Sequence, residues 1–253
     1  SQFFPRYWRL GGLSATLAEE SGELAAGYGT PVVRIAPRVP SRRIDLPPRV
    51  FVDAADRDTA LVARVDALAR GAGRPVLVAV RDVAEAGRIE RALRDAGLDP
   101  TRIDAAHADG EPAAVDAAGR PGRVTIVTDM AGRGTDVVLE PQAIEAGGLA
   151  LVATHVHASG RLERQLLGRV ARRGEPGSSE ALLVGSDPVS IEGGRGVSPL
   201  IGRCLPHVPE AVVAGLLRTV KRWAAGRARR QRLRLREAAR ARARRDLVGR
   251  VED

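Results

Sequence analysis

Gln165, Arg169 and Arg172 stand at helical spacing in the stretch Leu162-Glu163-Arg164-Gln165-Leu166-Leu167-Gly168-Arg169-Val170-Ala171-Arg172. Ahead of them lies a glycine-rich loop, Gly132-Arg133-Gly134-Thr135-Asp136. Guanidinium forks match phosphate oxygens, and glycines let a backbone approach an anion closely. A helix over residues 162–174 is expected, and it would put Gln165, Arg169 and Arg172 on one face, within reach of a single anion. Gln165 is then placed to orient phosphate or water. Gly132 and Gly134 permit a tight loop, and Arg133 between them is placed to pair across a cleft.

These residues need strands to hold them. Val124-Thr125-Ile126-Val127-Thr128 and Leu149-Ala150-Leu151-Val152-Ala153-Thr154 are β-branched or apolar runs that end in polar loops. Open α/β sheets place ligand sites at such strand ends. Upstream, Val50-Phe51-Val52 reads as a short strand and residues 56–70 as an amphipathic helix, with Leu61, Val62, Val65 and Leu68 on one face. Pro75-Val76-Leu77-Val78-Ala79-Val80 is a fully apolar strand, and Asp82 can cap a helix that runs to Ala96 before Gly97. Residues 101–105 read as a strand, 111–118 as a short helix and 181–184 as the last strand. Pro176-Gly177-Ser178-Ser179 before it reads as a turn. Strands that alternate with helices predict a parallel sheet, and uniformly apolar strands predict helices on both of its faces.

Composition bounds the classes. The chain of 253 residues is 44% hydrophobic but only 3% aromatic, so Ala, Val and Leu supply most of the core. Cys204 is the single cysteine, which excludes an intrachain disulfide and suits a reducing compartment. No apolar run approaches membrane-span length, and no secretory leader opens the chain. Lys221 is the only lysine. Residues 218–245 carry thirteen basic residues and one acid, Glu237, a balance of +12. The rest of the chain is close to neutral, at −3, so the basic character belongs to the tail.

Thr128 to Asp136 resembles motif V, and Gln165 to Gly174 resembles motif VI, of superfamily-2 motor ATPases. The wording from Ala118 to Asp136, A-G-R-P-G-R-V-T-I-V-T-D-M-A-G-R-G-T-D, is similar to that of SecA, the ATPase that drives proteins through the Sec channel. So are Gly147-Gly148-Leu149-Ala150, the T-x-x-H-x-S-x-R pattern of Thr154, His157, Ser159 and Arg161, and Q-L-x-G-R-x-x-R from Gln165. His155 departs, standing where SecA usually has Glu. Ser14-Ala15-Thr16 resembles motif III, and Arg43 and Asp45 match the R-x-D of the segment that joins the two SecA motor domains.

The resemblance implies a RecA-like sheet that hydrolyses ATP with Mg²⁺ at the interface of two motor domains. Arg172 matches the arginine finger, Arg169 its phosphate-meeting neighbour, and Asp136 the residue that couples nucleotide to the domain interface. Gly132, Arg133 and Gly134 belong to the same nucleotide site. No phosphate-loop motif occurs in the sequence. Mg²⁺ and the β/γ-phosphates are therefore expected to be held by the first motor domain, and this chain by itself is expected to be inactive; no metal ligands are assigned within it. The start at Ser1 rather than Met suits a fragment.

The domain layout expected is the end of the first nucleotide-binding domain at 1–36, a linker at 37–48 and a second nucleotide-binding domain at 49–186. A further linker at 187–206 and a basic helical tail at 207–253 complete it. The implied role is that of a cytoplasmic translocase subunit, peripheral to the bacterial plasma membrane. Its expected partners are a SecYEG-type channel, preproteins, anionic lipid and a second copy in a homodimer. Two alternatives stay open: a nucleic-acid helicase whose Arg-rich tail grips phosphates, and a non-catalytic adaptor that binds membrane or ribosome.

Overall fold

The computed structural model describes residues 7–103, 111–128, 136–157 and 159–184, with residues 212, 215, 226, 230 and 234 of the tail. Helix α1 (Ser21–Tyr28) lies ahead of strands β1 (Arg42–Asp45) and β2 (Arg49–Phe51). There follow α2 (Ala54–Asp66), β3 (Val76–Val80), α3 (Val83–Asp95), β4 (Pro100–Ile103) and α4 (Glu111–Ala117). The last elements are β5 (Val124–Thr128), α5 (Pro141–Glu145), β6 (Leu149–Ala153), α6 (Gly160–Leu167) and β7 (Pro176–Val184).

All seven strands join one parallel sheet in the order β1-β7-β6-β3-β5-β4, and β2 pairs with the second half of β7. The central strands β3, β5 and β6 are buried at every position. One face packs Val76, Val78, Val80, Val124 and Ile126 against Leu61 and Val65 of α2 and Ile89 and Leu93 of α3. The other packs Leu77, Ala79, Leu149 and Leu151 against Val115, Ala143 and Leu166 of α4, α5 and α6. This is the doubly covered α/β sheet that the apolar runs predict. Each fully buried Leu or Ile contributes about 1.5–3 kcal/mol relative to exposure.

Local punctuation works as expected in several places. Asp82 accepts from the Glu85 N–H at 2.8 Å and starts α3, and Gly97 follows its end with φ +78°. Asp53 caps α2, which therefore begins slightly before residue 56.

Two expectations are corrected. Pro176 to Ser179 is not a turn, because β7 begins at Pro176 and pairs with both β1 and β6. Within the stretch 37–48, Arg42–Asp45 forms a strand on β7, and the Leu46 N–H donates to Ser179 O at 2.8 Å. The predicted helix over 162–174 stops at Leu167, with Gly168 as its cap. After Gly168 the chain turns through Ala171, which adopts a left-handed conformation with φ +56°, into a short 3₁₀ turn at Arg172–Gly174.

The reason for that stop lies in the strand beside it. A Cβ on Gly177 would sit 2.4 Å from Val170 Cγ1 and 3.1 Å from the Ala171 backbone N. The segment after α6 is thus drawn tightly against the start of β7, and a straight helix cannot follow it. The basic tail falls almost entirely outside the described residues; the five described positions in it are helical.

Candidate functional site

Because β6 and β7 are parallel, α6 must run back from the carboxyl end of β6 to the amino end of β7. Arg172 lies just ahead of Pro176, so it stands at the amino edge of the sheet rather than at the carboxyl edge. Asp136 reaches the same edge from the loop that follows β5. Its near neighbour Val138 lies over Gly119, ahead of the start of β5, where an added Cβ would meet Val138 O at 1.8 Å. The Glu140 N–H likewise donates to Gly119 O at 3.2 Å, which places this segment beside the amino end of β5.

There the two motifs meet. Arg172 Nη1 donates to Asp136 Oδ1 at 2.5 Å, and Arg173 Nη2 donates to Asp136 Oδ2 at 2.6 Å. Arg172 Nε donates to Gly168 O at 2.7 Å, so the guanidinium is steadied at two of its nitrogens. Side-chain exposures of 33% for Arg172 and 37% for Asp136 leave the cluster open to a ligand or a facing domain. Asp136 thus receives two guanidinium groups at its two oxygens. Nearby, burial pushes the Glu175 carboxyl up from its ordinary value, with Arg173 opposing and Asp136 adding to the shift.

Of the other residues singled out, Gln165 is half-buried on α6, and Arg169 sits in the turn beyond, its N–H donating to Leu166 O at 3.1 Å. The two do not share one helical face with Arg172, since the helix has ended. Gly132, Arg133 and Gly134 lie outside the described residues. Sequence reasoning missed Arg173, and the only available signal was its adjacency to Arg172.

The T-x-x-H-x-S-x-R stretch is built into the interior. The Thr154 hydroxyl donates to Glu85 Oε2 at 3.0 Å, and its carbonyl accepts from the fully buried Arg57 at 3.4 Å. Arg57 Nη2 meets Glu85 Oε1 at 2.8 Å. Burial raises the Glu85 pKa, but the Arg81 N–H, the Arg57 and Arg81 charges and the Thr154 hydroxyl outweigh it and hold the carboxyl below its ordinary value. His155 and His157 are both buried, with rings edge to face at 4.8 Å. The His157 N–H donates to Glu163 at 2.8 Å, and Ser159 caps the start of α6. These residues set where α6 begins.

A second linkage sets where α6 ends. Arg43 grips Asp45 with Nε at 2.6 Å and Nη2 at 3.0 Å, while its Nη1 donates to Leu167 O at 3.2 Å. Asp45 also accepts from the Ser179 hydroxyl at 2.6 Å. The Arg43 hydrogen bond, aided by Ser179 and opposed by burial, holds the Asp45 carboxyl below its ordinary value. Between these residues and α6 opens a cleft of about 530 Å³, walled by Leu46, Pro47, Pro48, His155, Glu163 and Leu166 among others.

Near the N-terminus, the Thr16 N–H donates to Ser14 Oγ at 3.2 Å, and the two hydroxyls lie 3.3 Å apart, an ordinary Ser/Thr turn. Among the described residues no group of His, Cys, Asp and Glu is arranged to hold a metal ion. None of their helices is long and apolar enough to cross a membrane.

The family model described as the SecA P-loop domain matches residues 40–143 and 140–191. Protein translocase subunit SecA 2 of Nitrosospira multiformis is 40% identical over 190 residues, covering 75% of this chain and 28% of that protein. The SecA 2 subunit of Bordetella avium is 42% identical over 188 residues, covering 74% of this chain and 28% of that protein. SecA 3 of Magnetococcus marinus is 39% identical over 203 residues, 80% of this chain and 30% of that protein. The chain thus spans under a third of the length of these curated relatives. Among solved structures, the E. coli DEAD-box protein SrmB, bound to regulator of ribonuclease activity A, is similar at 23% identity and a TM-score of 0.45. That likeness covers 56% of this chain and 78% of the SrmB chain.

Proposed function

The chain belongs to the SecA family, and from that premise we propose that it supplies one half of the ATP site of a protein-translocating motor, with Arg172 as the finger. The observation that carries the reading is the Asp136–Arg172 contact, which joins the aspartate of the motif V-like stretch to the arginine of the motif VI-like stretch at one part-exposed point. Phosphoryl transfer asks the protein mainly for position and charge stabilisation. A guanidinium steadied by Gly168 O and Asp136 keeps its orientation until a phosphate competes for it.

The described residues suit a phosphate group, since Arg169, Arg172 and Arg173 lie close in sequence at the site and Asp136 joins two of them. Among the described residues no group of three or more His, Cys, Asp or Glu is arranged around one point, and the reading leaves Mg²⁺ to the first motor domain. Bound ATP would supply the transferred phosphoryl group. Arg172 would meet the charge that develops on it, and Asp136 would hold Arg172 in place before and after. Gln165 and Arg169, on α6 and its following turn, would flank the phosphates, together with Gly132, Arg133 and Gly134 of the motif V loop. In this reading residues 1–36 close the first nucleotide-binding domain, 37–48 join the two, 49–186 form the second, and 187–206 lead to the basic tail at 207–253. A Sec-type channel, preproteins and anionic lipid at the cytoplasmic membrane face are the partners that follow.

In an intact two-domain protein carrying this chain, Arg172→Ala should cut turnover by on the order of 10³ while weakening ATP binding far less, because a finger acts on transition-state charge. An equal loss in affinity and rate makes Arg172 a ground-state phosphate ligand and overturns the assignment.

A further inference from the structure

The family reading assigns no task to the contact between Arg43 and the end of α6. Arg43 stands on β1, the strand formed by the segment between the two proposed motor domains. Two of its nitrogens are fixed by Asp45, and the third reaches the last residue of the helix, Leu167, across 124 positions of sequence. The final carbonyls of a helix carry partial negative charge. Leu167 O accepts from the Val170 N–H at 3.2 Å, and the cationic Arg43 adds a second hydrogen bond to the same oxygen and opposes that charge. Asp45 is in turn tied to Ser179 on β7, and the Leu46 N–H to Ser179 O. The guanidinium therefore bridges the sheet edge and the helix end, with its orientation set from the strand side.

Four residues separate Leu167 from Arg172, and in them the chain takes no further α-helical turn. Their course depends on where α6 stops, and the amides of Arg169 and Val170 hang on the carbonyls of Leu166 and Leu167. A shift of the helix end carries Arg169 and Arg172 with it.

We propose that Arg43, oriented by Asp45, is a positioning residue that clamps the carboxyl end of α6 and so couples the interdomain segment to the placement of Arg169 and Arg172. The clamp rests on the site reading above only for its effect on turnover. Its mechanical part stands separately. When the interdomain segment is displaced, Nη1 leaves Leu167 O and the turn bearing the arginines loosens; when it is seated, the turn is held for catalysis.

The test uses hydrogen exchange in the intact protein, read at the amides of Gly168, Arg169 and Val170, with those of β3 and β5 as the internal reference. Arg43→Ala should speed exchange at the three amides about tenfold and leave the reference strands unchanged, the effect of losing one hydrogen bond from a charged donor. Arg43→Lys should recover only part of the protection, because an ammonium cannot hold a carboxylate at two oxygens and a carbonyl at once. In the same protein Arg43→Ala should lower kcat severalfold with KM for ATP little changed. Unchanged exchange at 168–170, or full recovery with Lys, overturns the clamp. Faster exchange with unchanged kcat overturns its coupling to the arginines. Arg172→Ala, measured beside these variants, decides separately whether the ATP-site reading stands.

Discussion

Arg172 and Asp136 are 36 residues apart in sequence, and a guanidinium nitrogen of one lies 2.5 Å from a carboxylate oxygen of the other. Arg173 takes the second oxygen of the same carboxylate. The pair is a third exposed on each side, where ion pairs contribute only about 0–1 kcal/mol to stability. In the proposed reading its value lies in placing a guanidinium rather than in holding the fold.

Asp136→Asn is expected to separate those two roles. Unfolding by urea should shift by less than about 1 kcal/mol. ATP turnover in the intact two-domain protein should fall, though by less than in Arg172→Ala. A large loss of stability with unaltered turnover would make Asp136 a structural residue.

Ala171 holds φ +56° in the turn ahead of Arg172. A left-handed conformation costs a Cβ-bearing residue roughly 1–2 kcal/mol that glycine does not incur, offset in part by the larger unfolded-state entropy of glycine. Ala171→Gly should stabilise the domain by about 0.5 kcal/mol in urea titration. Destabilisation would show that the Ala171 methyl packs usefully in the turn.

Arg57 is 1% exposed and paired with Glu85, itself 6% exposed. Removing one partner of a buried pair costs about 3–5 kcal/mol when the other is left alone, and Arg81 and Arg88 still face Glu85, so the loss lies toward the lower end. Arg57→Ala should therefore lower the urea midpoint strongly, and a further Glu85→Gln change should recover part of the loss. A second variant that is no more stable than the first would show that Glu85 is not the group left stranded.

Glu85 also carries an acid dependence. Its folded-state pKa lies below the ordinary value, so its stabilisation is complete above the unfolded pKa of about 4.3 and is lost as pH falls through the folded value. Stability followed from pH 7 to pH 3 should drop in the lower part of that range, and Glu85→Gln should flatten the drop. An unchanged slope would place the acid sensitivity elsewhere.

The basic segment at 218–245, with its balance of +12, should bind anionic vesicles at roughly 1 kcal/mol per basic residue near the bilayer, and weaken with salt. Co-sedimentation with and without the segment measures this. Equal binding by both forms would leave the tail a solvated helix with no lipid role.

The sequence by itself determined the middle of the sheet. Val76 to Val80, Val124 to Thr128 and Leu149 to Ala153 are apolar on both faces, and that pattern has one stable use, a parallel strand between two helical layers. Asp82 and Gly97 mark the ends of α3 because capping is local chemistry, legible within four residues. The motif wording likewise led to Asp136, Arg169 and Arg172.

Tertiary structure alone decided how these residues meet. Nothing local to Leu162–Arg173 ends the helix at Leu167; Gly168 permits the stop, and the close approach of Val170 to Gly177 at the start of β7 requires it. Nothing in Pro176-Gly177-Ser178-Ser179 says strand until β1 and β6 supply ladder partners on both sides. The proline-rich stretch around Arg43 becomes a sheet edge because β7 offers it a ladder partner, with Ser179 Oγ donating to Asp45 and Leu167 O accepting from Arg43. Caps and apolar runs are short-range and survive in one dimension. An ion pair between residues 36 positions apart, or a hydrogen bond across 124, exists only once the sheet has brought their backbones together.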